Sequence, residues 1–476
     1  MPDENTFYRF RPISRLLGKT RELEKQEIYL GAYDELNDPM EGYQDIFWKG
    51  DQILWRNLLK HYLLSLLWNA SSCALMSDDE FEEPQVVGTL TQDDLPTDEF
   101  RKLYQGICIK FDEDGLFSRL SDRLGKLRFP LYIDGLRMVL RVFHLPAFLA
   151  VVSSMHEAGL LSSGWFPPEF RTAGTRLSQT PEKLVSIIEM APDSQKLEEL
   201  ASISNQTYER STMDLLLRPN RDIGSGTARR KQYLISSFPD LYAKTIAETL
   251  IHGNWHTACF SSKCTNASMW SSYADNHKGA ALMFTAHSDK NGNPFLPLSI
   301  VNGVGSGRGK KTRYYRKTVP VTLHKVKYSN RPPQTDFFKF ISNLSWSKLA
   351  KTWHSDGSGQ ISPVLKRINN NQEMWREQLW KLFYRRATTK LKDWSHEREY
   401  RIVLSDLVGL RHDSDNRLAR FDLSDLSGVV FGLRTKPSDK AEIIETIRAK
   451  GKAENTSHIQ FYQMTYSRNK GVLERI

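Results

Sequence analysis

The stretch CFSSKCTNASMWSSYADNHKG, from Cys259 to Gly279, decides the reading of this chain. With its flanks it reads as a strand over residues 255–261, a helical turn over Ala267–Ala274 and a second strand over Ala280–Phe284. Further strands are expected on both sides. Phe7–Phe10 alternates aromatic and basic side chains, and Glu27–Leu30 forms a second short strand closed by the turn Asn37-Asp38-Pro39. Gly106–Phe111, Val319–Tyr328, Glu399–Leu404, Gly428–Phe431 and residues 459–466 also read as strands. Asp51 is placed to cap a helix running to Asn69. Residues 115–250 carry a mainly helical pattern, and 369–391 another helix. Strands and helices mix without βαβ alternation, so the fold class is α+β. The expected architecture is a central, mostly antiparallel sheet with a large inserted helical layer. Residues 1–111 and 251–476 form the two parts of the α+β core, and 112–250 the helical insertion. A basic, glycine-rich loop is expected near 303–317.

Composition bounds the function. The chain has 476 residues, 39% of them hydrophobic and 26% charged, which suits a globular protein with a real core. The net charge of +10 favours acidic partners, nucleic acid and nucleotides among them. The start, Met1–Asn5, is acidic and polar and does not resemble a secretory signal. The best apolar stretch, Leu58–Trp68, is shorter than the roughly 20 residues of a membrane span and reads as a buried helix. The expected setting is the cytoplasm, away from any membrane. Four cysteines, Cys73, Cys108, Cys259 and Cys264, are too few for a disulfide framework. None pairs with a second Cys/His set at zinc spacing.

Four motifs far apart in the chain mix aromatic and charged residues where core packing alone favours apolar ones. They are Tyr8–Arg11 (YRFR), Asn37–Pro39 (NDP), Cys259–Gly279 and Trp394–Arg401 (WSHEREYR). Together they resemble a mostly bacterial family known as domain of unknown function family 2971. That family opens with an aromatic-Arg strand and an Asn-Asp-Pro turn, carries Met-Trp-x-x-Tyr-Ala-x-x-His-x-Gly in the middle, and ends with Glu-x-Glu-aromatic-Arg and a late glycine-bearing strand, here Gly428–Gly432. The resemblance supplies no activity.

Glu397-Arg398-Glu399 is the sharpest local constellation. In an extended strand, residues two apart share a face, so two carboxylates meet in one site and one pKa rises. Paired glutamates at a strand entrance resemble the acidic signature of ADP-ribosyltransferases, which split the nicotinamide–ribose bond of NAD. The pattern of that superfamily implies an early Arg, a middle Tyr and a late Glu. Here Arg9 or Arg11 binds phosphate or ribose, Tyr273 stacks on nicotinamide, and Glu399 with Glu397 stabilises the oxocarbenium-like charge. Asn37, Asp38, Trp270 and His277 complete the cofactor-binding candidates. The resemblance further implies an effector of toxin or phage-defence type, with nucleic acid or protein as the acceptor.

Each residue also has a plain structural role open to it. Glu397 and Glu399 can enter an ion-pair network with Arg398, Arg401 or Arg11. Asn37 and Asp38 can fix a turn, Trp270 can fill core, and His277 can cap the turn before Gly279. A second functional reading gives Arg308, Lys310, Lys311, Arg313, Tyr314 and Tyr315 to nucleic-acid phosphates and bases. In it Asp38, Glu397 and Glu399 hold magnesium for a nuclease. A third reading is a nucleotide-binding module without turnover.

Overall fold

The computed structural model describes residues 5–77, 81–161, 185–186, 188–217, 229–230, 232–306, 312–406, 409–450 and 456–476, without the side chains of 211–217, 306 and 312. The chain divides into two compact units. One comprises Met1–Gln44, Gly253–Pro333 and Lys381–Ile476, and the other Asp45–His252 and Gln334–Trp380. The helical unit thus begins at Asp45, not after residue 111, and takes in a second segment at 334–380 that the sequence division had placed with the sheet.

Among the described residues, thirteen strands form the sheet of the first unit. Its spine runs Gln460–Ser467, Leu426–Phe431, Ala280–Thr285, Thr6–Arg11, Asn254–Ser261, Glu399–Asp406, Thr312–Lys325, Pro294–Ser306. Every pairing along this spine is antiparallel except that of Leu426–Phe431 with Gln460–Ser467. The fold class is therefore α+β with a mostly antiparallel sheet. Alternation explains the two faces of the opening strand. Phe7 packs with Ala258, Phe260, Leu282, Phe284 and Ile402 in one core, while Tyr8 and Phe10 pack with Trp270, Met269 and Met283 in another.

The expected loop at 303–317 is largely strand. Pro294–Ser306 and Thr312–Lys325 pair as a long antiparallel ladder, with a register shift between Tyr315 and Arg316. Glycine content suggested a loop, but Gly303 and Gly305 are ladder residues, and the Tyr315 ring lies 3.0 Å from where a Cβ of Gly305 would stand.

The second unit is built on Gln52–Leu75, whose N-terminus Asp51 caps by accepting from the amides of Ile53 (2.9 Å) and Leu54 (3.4 Å). Helices Asp98–Glu113, Leu116–Gly125, Ile133–Glu157 and Phe238–Thr249 surround one apolar core. Gly106–Phe111 is helical, not a strand. Its alternation was incidental: Tyr104, Ile107, Cys108 and Phe111 recur at helical spacing and are buried, while Ile109 is exposed. Among the described residues Ile133–Glu157, rather than Leu58–Trp68, is long and apolar enough to cross a membrane; 61% of its apolar 18-residue window is buried within the protein, as in a core helix.

Candidate functional site

The sheet unit holds a cavity of about 900 Å³. It arises where the sheet splits. Tyr8 stands opposite Ser261, but the two strands then part. Gly31 and Ala32 pair instead with Thr257 and His256. A continued ladder would have brought the backbone of Phe10 to Cys259. In its place the buried Arg9 guanidinium donates to the carbonyls of Cys259 (3.3 Å) and Tyr29 (3.1 Å). Burial, then the like charge of Arg11, pull the Arg9 pKa down to about 9. Arg11 pairs with the buried Glu22 at 2.9 Å. Arg15, Lys19 and Lys25 continue this cationic end of the cavity wall.

The other end is acidic. Glu399 and Arg401 lie opposite Ser261 and Cys259 across the ladder, on the face of Tyr8 and opposite to that of Arg9 and Arg11. Arg401 is fully buried and grips Glu399 with two donors, Nε to Oε1 (2.7 Å) and Nη2 to Oε2 (2.9 Å). Its Nη1 donates to Glu41 and to the Ala387 carbonyl. Lys390 donates to Glu397 Oε2 at 2.8 Å and lies 3.5 Å from Glu399 and 3.8 Å from Glu41. The Tyr273 hydroxyl donates to Glu397 Oε1 at 2.6 Å.

Five buried charged groups thus share one cluster: Glu41, Glu397 and Glu399 against Lys390 and Arg401. With all five ionised its net charge is −1. Burial opposes ionisation of Glu399, but the charge and hydrogen bonds of Arg401 outweigh it and hold the carboxyl at about 2. Burial pushes Glu41 up despite Arg401 and Lys390, so Glu41 takes a proton before Glu399. Burial would lower Lys390, yet Glu399, Glu397 and Glu41 hold it above the ordinary lysine range. Tyr273 is raised by burial and then by Glu397, and stays a donor.

Glu397 and Glu399 converge for a reason other than the expected one. Glu397 ends a 3₁₀ turn, Arg398 is left-handed (φ +48°), and only Glu399 enters the strand. The shared partner Lys390, not a common strand face, brings the two carboxylates together. Ser261 fixes this turn by donating from Oγ to the Glu397 carbonyl (2.8 Å).

Of the sequence candidates, Arg9, Arg11, Asn37, Tyr273, Glu397 and Glu399 line the cavity. Asp38, Trp270 and His277 do not. Asp38 is buried and caps its own turn through the Met40 amide (2.9 Å). That turn delivers Glu41 to the cluster. Trp270 is fully buried, donates to the Cys264 carbonyl at 2.6 Å and meets Phe10 edge-on. His277 stacks on Trp270 with φ +70°, and its carbonyl accepts from the Arg434 amide. Sequence reasoning missed Glu41 and Lys390, and named Arg401 as one of three possible ion-pair partners of the two glutamates, which the structure bears out for Glu399. The available signal was arithmetic: two neighbouring glutamates in a buried motif require cations.

Arg313, Tyr314 and Tyr315 sit exposed on the long ladder; Arg308, Lys310 and Lys311 lie outside the described residues. Among the described residues, no group of three or more His, Cys, Asp or Glu is arranged to hold a metal. Lys390 and Arg401 occupy the space between the carboxylates, and Asp38 is engaged elsewhere.

Residues 269–402 match the family described as a protein of unknown function, DUF2971. The matched stretch includes Tyr273, Lys390, Glu397, Glu399 and Arg401, and bears out the resemblance seen in the motifs. No curated protein and no solved structure matches the chain.

Proposed function

We propose that the cavity binds oxidised NAD and supports cleavage of its nicotinamide–ribose bond. The observation that carries this reading is the charge layout of a single 900 Å³ cavity. Arg11, Arg15, Lys19 and Lys25 mark an end suited to the pyrophosphate. The Tyr273–Glu397–Lys390 end, with its net negative cluster, suits the cationic nicotinamide ring and the positive charge that develops on the ribose. As the glycosidic bond breaks, its electron pair leaves with nicotinamide, which becomes neutral. Glu397 stabilises the ribosyl cation until a nucleophile from water, nucleic acid or protein adds to C1′ and releases its proton. Glu399, locked by Arg401, acts as a positioning residue in place of the catalytic role first given to it.

The test is incubation with NAD, with and without oligonucleotide or protein acceptors, and chromatographic measurement of free nicotinamide. The expected result is release that falls about 100-fold in Glu397→Gln. NADH, whose ring is neutral, is expected to bind about tenfold more weakly than NAD. Equal binding of the two would remove the charge argument.

A second reading has one observation in its favour. Both oxygens of Glu397 and of Glu399 already accept hydrogen bonds, which suits a module that binds a nucleotide without turnover. It expects a rise in melting temperature with NAD and no nicotinamide. The magnesium-nuclease reading draws no comparable support, because cations of the chain itself fill the carboxylate cluster.

A further inference from the structure

The helical unit contains a separate cavity of about 660 Å³. Its apolar wall is Trp48, Leu124, Leu127, Phe129, Val364, Ile368, Met374 and Trp375, contributed by four different segments of that unit. Three cations, Lys49, Lys339 and Arg367, and two carboxylates, Asp51 and Asp336, also line it.

The acids are already engaged. Asp51 caps the long helix through the amides of Ile53 and Leu54, and its other oxygen accepts from Ser362 Oγ. Asp336 caps the turn Phe337–Phe340 through the Lys339 amide at 3.3 Å. The cations are not consumed in the same way. Among the described residues, neither Lys339 nor Arg367 has a carboxylate within ion-pair distance. Among the described residues the Arg367 side chain makes one long hydrogen bond, from Nε to the Pro363 carbonyl, 3.4 Å. Among the described residues Lys49 donates to the Arg128 carbonyl alone, at 3.4 Å. The Trp375 indole is fixed edge-on to Trp346 and donates to the Lys339 carbonyl (2.8 Å). One wall is therefore flat, aromatic and held in place; beside it Lys339 lies 5.1 Å over the Phe340 ring, and Lys339 and Arg367 act on Asp336 electrostatically without closing an ion pair with it.

We infer that this cavity is a binding site for a small amphipathic anion, a flat or acyl apolar body carrying a carboxylate, sulfonate or phosphate. Three features support the assignment. The volume falls in the ordinary range for small-molecule sites, and such sites combine apolar walls with a few polar groups that fix orientation. The cation excess matches an anionic head, for which the Arg367 guanidinium supplies a forked donor. The tryptophans supply the contact area for the body. The site is distinct from the sheet-unit cavity, with which it shares no lining residue.

The experiment uses the full chain and 8-anilinonaphthalene-1-sulfonate, an aromatic monoanion excited by energy transfer from tryptophan. The expected result is saturable binding of one probe per chain at this site together with a raised melting temperature. The double variant Lys339→Gln/Arg367→Gln is expected to weaken binding about tenfold, while Arg11→Ala leaves it unchanged. Val364→Trp, which narrows the cavity, is expected to weaken binding of the probe. The neutral analogue N-phenyl-1-naphthylamine is expected to bind about tenfold more weakly. Non-saturable binding, a lowered melting temperature, equal affinity for the neutral analogue or loss of binding in Arg11→Ala overturns the assignment. Circular dichroism separates a misfolded variant from a folded one that has lost the site.

Discussion

At the residue scale the decisive side chain is Arg401. It is fully buried, and it pairs with two carboxylates at once. Its removal strands Glu399 and Glu41 in a low-dielectric site. We expect Arg401→Leu to lose about 3–5 kcal/mol of unfolding free energy, measured by urea titration. Arg401→Lys keeps the charge but not the fork, and should lie between the variant and the wild type. Tyr273→Phe is a milder test. It removes one charge-assisted hydrogen bond to Glu397, worth about 1.5–3 kcal/mol. If Glu397 serves NAD chemistry, nicotinamide release should fall while the melting temperature moves by only a few degrees. The motif WSHEREYR made Glu397 and Glu399 visible in the sequence. Lys390 was invisible because nothing local distinguishes it from a surface lysine. Its role comes from the parallel pairing of residues 327–328 with 389–390 and from the 4.5 Å approach of its ammonium to the Trp394 ring.

At the scale of elements, two features make sharp predictions. The helix Gln52–Leu75 carries His61, hydrogen-bonded to Tyr242 at 2.8 Å, and Tyr62, hydrogen-bonded to His144 at 2.7 Å. Burial pulls both imidazoles down to about 4. Below the ordinary value of about 6.5 the unfolded chain takes up protons that the folded helices refuse. Stability therefore falls as pH drops from 6.5 towards 4, by an amount on the order of 3 kcal/mol per histidine. Urea midpoints at pH 7 and pH 4.5 check this. Glu399 contributes in the same sense over a more acidic window: its stabilisation is full above the unfolded carboxyl value and is lost as pH falls from there towards about 2. The second feature is the turn at Gly279. A Cβ there would stand 2.2 Å from the Arg11 carbonyl oxygen and 3.0 Å from that of Ala274. We expect Gly279→Ala to cost about 1–3 kcal/mol and to displace Arg11, read as a lowered melting temperature and weaker NAD binding. Most elements were legible from periodicity and caps, the long helix with its Asp51 cap above all. Gly106–Phe111 was not, because six residues satisfy a period of 2 and a period of 3.6 equally well until tertiary burial selects one.

At the scale of the whole molecule, the sheet unit is assembled from three separated segments. Its strand Asn254–Ser261 is completed on one side by Glu399–Asp406, which pairs with it along its full length. A chain ending before Lys381 lacks that strand and every cation of the acidic cluster. We expect such a truncation to lose amide-exchange protection across residues 254–261, as read by hydrogen–deuterium exchange.

The sequence by itself determined the α+β class, the four motifs and the residue types of a polar site, because strand alternation, turn chemistry and caps are local properties. Only the tertiary structure decided where the sheet opens, that Arg9 and Arg11 enter the cavity from the face opposite to Glu399, and that Lys390 and Arg401 are the cations that pair with the glutamates. Those outcomes depend on register between strands hundreds of residues apart and on the cost of burying unpaired charge, and neither is written in any single stretch of the chain.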